Sequence, residues 1–128
     1  MLMPALTGLS LIVLAATPPA IEAERPTTRM SAQEKTAAVQ PSVRRATECV
    51  ARNVADNPRV TAIGEPGVLG DMIVQSMPSC ANLMRAMIES FDRYFGEGSG
   101  EAYFSGPYLD ALPAAVLKAA TDATDASR

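Results

Sequence analysis

From residue 31 onward, apolar positions recur every three or four residues and nowhere alternate for any length, a helical pattern and not a strand pattern. Ser31, with Glu34 three residues on, forms a capping-box signature at the start of a first helix. Pro41 is expected to interrupt it. Beyond that point Val43, Ala46, Val50 and Val54 make one apolar face, with Cys49 on its edge. Asp56-Asn57-Pro58 ends the helix, because the residue before a proline is pushed out of the helical region. Thr61 to Gly70 holds Gly64, Pro66, Gly67 and Gly70 and reads as a connector.

Asp71 opens the most regular segment of the chain. Ile73, Met77, Cys80, Met84, Met87, Phe91 and Tyr94 alternate intervals of four and three, a heptad-like seam. Pro78 lies inside it, so either the helix kinks there or a second helix begins with Pro78 in its first turn. Ser79 to Phe95 carries no breaker. Gly96-Glu97-Gly98-Ser99-Gly100 reads as a loop and Gly106-Pro107 as a second break. Pro113 opens the last helix, Ala114 to near Thr121, with Leu109, Leu112, Val116 and Leu117 facing inward. The pattern predicts an all-α fold, a small bundle of three to four helices formed by residues 31–128 as a single domain.

The N-terminal block differs from the rest. Ala5 to Ala16 is a continuous apolar run, of signal-peptide length and short for a membrane span. Pro18-Pro19 breaks it, and Ile21-Glu22-Ala23 offers a cleavage site with a small last residue. No Lys or Arg precedes the run, so the terminal amine is its one positive charge. Residues 1–23 are therefore read as a signal peptide, with an uncleaved anchor as the alternative, and residues 24–30 as a polar linker. Cys49 and Cys80 agree with the oxidising compartment that such a leader implies, periplasmic or extracellular. Joined, they would close a loop of roughly 32 residues, stabilising the fold by roughly 3–4 kcal/mol in the chain-entropy view.

Charge is unevenly placed. The net charge is −3, but residues 24–60 carry seven basic side chains against four acidic ones, and residues 61–128 four against nine. The plainer reading is intramolecular, a basic first helix lying beside acidic segments. The sharper one is a basic face for an anionic partner. An exported, weakly acidic chain whose arginines lack aromatic neighbours has no nucleic-acid footprint. Membrane contact is expected only through the leader, if it stays uncleaved.

Candidate chemistry is sparse. With no histidine, Ser-His and Cys-His nucleophile pairs are excluded. Met77, Cys80, Met84 and Met87 share a helix face and could hold copper(I), but such a stripe reads better as core. No metal or cofactor is expected. The remaining signal is aromatic. Phe91, Tyr94, Phe95, Tyr103, Phe104 and Tyr108 are all the aromatic residues of the chain, beside Glu97 and Glu101. Glu97 and Glu101 flank a glycine run, which positions them poorly for acid–base work. Phe95 and Phe104 are expected to anchor a folded-back loop, Tyr94 to continue the seam, and Tyr103 and Tyr108 to stay partly exposed. The contact surface expected on this loop, residues 94–108, comprises Tyr94, Glu97, Glu101, Tyr103 and Tyr108. The chain reads as a small exported, non-catalytic binding protein with an unknown protein partner. The alternatives are a periplasmic stress or chaperone-like protein that exposes its Met-rich helix face, and an inhibitor or immunity-type partner of an exported enzyme.

Overall fold

The computed structural model describes residues 30–126, except the side chains of residues 123–125. The leader, residues 1–23, and the linker up to residue 29 lie outside the described residues. Four α-helices run in order: α1 Ala32–Asp56, α2 Val68–Phe95, α3 Ser99–Tyr103 and α4 Leu109–Ala126. A 3-10 turn, Pro58–Ala62, follows α1, and a π-helical turn, Phe104–Tyr108, joins α3 to α4. The third arm of the bundle is therefore helical throughout. No strand occurs among the described residues.

The capping box at Ser31 is formed. Its hydroxyl accepts the Glu34 N–H at 3.1 Å, and the Glu34 carboxylate accepts the Ser31 N–H at 3.0 Å. At the other end Asn57 closes α1, and its side chain accepts the Arg59 N–H at 2.9 Å.

The prolines break less than expected. α1 passes through Pro41, α2 through Pro78, and α4 begins at Leu109, before Pro113. A proline inside a helix leaves the carbonyl four residues earlier without a donor. Pro41 and Pro78 are exposed, and so are Ala37 and Val74, which carry those carbonyls. Water can therefore solvate them, and packing on the opposite face holds each helix together. Pro107 is absorbed differently: it sits in the widened π turn, so Gly106-Pro107 bends the arm without breaking it. The glycine loop also shrinks. Only residues 96–98 form the turn, and Ser99 and Gly100 are already helical.

α1 and α2 make the principal interface, while α4 packs mainly on α1 and α3 on α2. Val50, Val54, Met72, Cys80, Met87, Leu112 and Val116 lie at the centre of the core, each essentially inaccessible to solvent. Met84 is buried as well, whereas Met77, Phe91 and Tyr94 of the same seam are half-buried. Leu117 is a correction: it points outward, with 41% of its surface exposed. Cys49 and Cys80 are joined, Cα atoms 5.9 Å apart, and tie the middle of α1 to the middle of α2. The Asn53 amide, one turn beyond Cys49, donates to the Cys49 carbonyl at 2.9 Å and approaches the Cys80 sulfur at 3.5 Å.

Candidate functional site

The aromatic residues gather where α2 turns into α3, and glycines make that turn possible. Gly96 and Gly98 adopt φ of +105° and +89°, a region that side chains with a Cβ rarely enter. Gly98 has no side chain with which to cap α3. Asp92, in the last turn of α2, does so instead: its Oδ1 accepts the N–H groups of Gly98 at 3.1 Å and Gly100 at 2.9 Å. Gly100 then lies directly on the backbone of α2. A Cβ there would sit 2.8 Å from the Ile88 Cα and closer still to its carbonyl. Thus Gly100, read from the sequence as part of a loop, is the packing point that sets α3 against α2.

This close approach stacks the rings. Phe91 lies 4.0 Å from Tyr103 and 5.6 Å from Phe95, centroid to centroid. Tyr108 contacts both Tyr103 and Phe104 at 5.9 Å. The series descends from surface to core. Phe95 is 41% exposed, Phe91, Tyr103 and Phe104 are half-buried, and Tyr108 is 3% exposed. The Thr47 hydroxyl donates to the Val43 carbonyl at 2.8 Å, so at 3.2 Å it accepts from the Tyr108 hydroxyl. Burial raises the pKa of both phenols, Tyr103 and Tyr108. At Tyr108 the nearby Tyr103 adds to the effect of burial.

Two ring positions reverse the expectation. Tyr108 is covered, because its hydroxyl finds Thr47 inside the bundle and does not need water. Phe95, expected as an anchor, is the exposed end of the stack, with the Lys35 ammonium 5.9 Å from its ring centre. Tyr94 and Tyr103 keep part of their surface, and Glu97 and Glu101 are exposed. The structure therefore brings Tyr94, Phe95, Glu97, Glu101 and Tyr103 to one end of the bundle and withdraws Tyr108 from it. Cys80, half of a disulfide, offers no thiolate to the Met77, Met84 and Met87 face.

The charges do not pair internally as the plainer reading expects. Among the described residues the one ion pair is Arg59–Asp71, at 4.0 Å between exposed side chains. Arg44, Arg45 and Arg52 are exposed along α1 and make none. Beside them runs a groove between α1 and α4 that the apolar pattern does not reveal, since small residues make it. One cleft of it, about 230 Å³, is lined by Glu48, Ala51, Arg52, Ala55, Ala119 and Ala120. A wider cleft of about 570 Å³, rimmed by charged side chains, continues it past Arg44 and Lys118. No protein-family model, curated protein or solved structure matches this chain.

Proposed function

We propose that this chain is a small exported binding protein without catalytic activity, which engages a protein partner through the aromatic end of its bundle. One observation carries the reading: Phe95, the last residue of α2, stands 41% exposed at the end of a ring stack and outside the core cluster. A large apolar ring held rigidly at the surface, with carboxylates at its edge, is how an interface anchor is built. Glu97, two residues beyond Phe95 in the turn, and Glu101 in α3 are both exposed. The exported compartment is supported by the Cys49–Cys80 disulfide and by the leader-like sequence of residues 1–23. Among the described residues no helix is long and apolar enough to cross a membrane.

The inhibitor-type variant of this reading draws on the same exposed carboxylates. The chaperone-like variant asks more of the fold, because Met84 and Met87 are buried between α1 and α2, which the disulfide ties together. Site-directed photo-crosslinking in the native compartment tests the proposal. A photoreactive residue at Glu97 is expected to capture one partner in stoichiometric yield, and one at Val74, exposed on α2 and away from the aromatic end, to capture none. Equal capture at both positions, or many weak clients, removes the proposed surface.

A further inference from the structure

The aromatic end has the chemistry that arginine recognises: carboxylates for the guanidinium fork and ring faces for stacking. Within the chain one cation already lies over a ring of this end, Lys35 over Phe95. The same chain carries a matching surface elsewhere. Arg44 and Arg52 rim the α1–α4 groove and Arg45 lies beside it, all exposed and without an ion pair among the described residues. The floor of the groove is alanine: Ala51, Ala55, Ala119 and Ala120 line an apolar cleft of about 230 Å³, room for one aromatic ring.

Knob and cleft cannot meet inside one molecule. Phe95 lies beside Lys35, and the cleft begins at Glu48, which at the helical rise is about 20 Å further along α1. We infer that they meet between molecules: Phe95 of one copy seats in the α1–α4 cleft of a second copy, with Glu97 and Glu101 against Arg44 and Arg52. The inference rests on the contact-surface reading above and names its partner as this chain itself. The opposing charges are mixed on both sides. Arg93 lies exposed among Glu89, Glu97 and Glu101, and Glu48 sits between Arg44 and Arg52. That alternation suits a patterned protein surface and opposes a uniformly anionic one such as a lipid bilayer. Because knob and cleft occupy different parts of the chain, the contact is heterologous, and each added copy leaves a knob and a cleft free.

Sedimentation of the purified chain with its disulfide intact tests this. The average mass is expected to exceed that of the monomer and to rise with concentration. Association is expected to weaken at least about tenfold between roughly 20 mM and 500 mM salt. Ala55→Trp, at an exposed position, fills the cleft and should abolish association with the fold unchanged. Arg44→Glu with Arg52→Glu, and separately Glu97→Lys with Glu101→Lys, should each give monomers, and an equal mixture of the two should associate again. A wild-type chain that stays monomeric overturns the inference, as does association indifferent to Ala55→Trp or a mixture that does not recover. If the monomer still captures a foreign protein through Phe95, the contact-surface reading stands and only the self-pairing falls.

Discussion

At the scale of single residues, two positions carry more of the architecture than their chemistry suggests. Gly100 has no room for a methyl group, since its neighbour is the Ile88 backbone, which cannot move aside as a side chain would. Gly100→Ala should cost about 1–3 kcal/mol or more in urea denaturation, the range for overpacking. Gly70 is a control. It lies in α2 with nothing within 4 Å of an added Cβ, so Gly70→Ala should stabilise by about 0.4–1 kcal/mol. The sequence shows both glycines and cannot tell them apart, because what separates them is the Ile88 backbone, twelve residues before Gly100, against open space at Gly70. Tyr108 is the second position. Its phenol is harder to ionise in the fold than in the unfolded chain, chiefly through burial. The stability it contributes is therefore complete below the ordinary tyrosine value of 10.0 and is lost as pH rises through the raised folded value. Tyr108→Phe should cost about 1 kcal/mol at neutral pH, for the hydrogen bond to Thr47. It should also flatten the fall in stability above roughly pH 10, leaving the part due to Tyr103. Denaturation curves at neutral and alkaline pH check both.

At the scale of elements, the periodic faces of α1 and α2 were legible, and so were the capping box at Ser31, the stop at Asn57 and the disulfide linking the two helices. What was not legible is how breakers behave in context. Proline costs a helix one hydrogen bond and a steric clash, but Pro41 and Pro78 place that cost on the solvent face while the other face is buried. Gly96 to Gly100 contains a turn, but Asp92 supplies a remote cap that lets helix resume two residues earlier than glycine content suggests. Local propensity was overridden by tertiary packing in both cases. The seam of α2 offers a direct check of this account. Met84 faces α1 with 5% of its surface exposed. Met84→Leu should cost under about 1.5 kcal/mol, since volume and polarity are kept. Met84→Asp should cost several times more, because it places an unpaired charge in an apolar site. Thermal unfolding of the two variants reads the difference, and similar values for both would mean that α2 is not held on this face.

At the scale of the whole molecule, the fold is a pair of long helices held by one disulfide, with a third helical arm laid across them and bent at its π turn. That arm decides the candidate site. It draws Tyr108 into the core, half-covers Phe91, Tyr103 and Phe104, and leaves Phe95, Glu97 and Glu101 exposed. The clustering of aromatic residues between positions 91 and 108 was visible in the sequence. The order of the rings from surface to core was not, since it depends on Gly100 docking and on Thr47 receiving the Tyr108 hydroxyl. For the same reason Tyr103, stacked 4.0 Å from Phe91, is a poor probe of binding: its removal disturbs the fold. Phe95 is the clean one. The decisive measurement is the paired effect of Phe95→Ala on affinity for the captured partner, by titration calorimetry, and on unfolding free energy. Binding should weaken by more than about 1 kcal/mol, as for an interface anchor, while stability changes by less than about 0.5 kcal/mol, as for a surface substitution. Unchanged affinity together with a large loss of stability would contradict the account and make the aromatic end a structural plug.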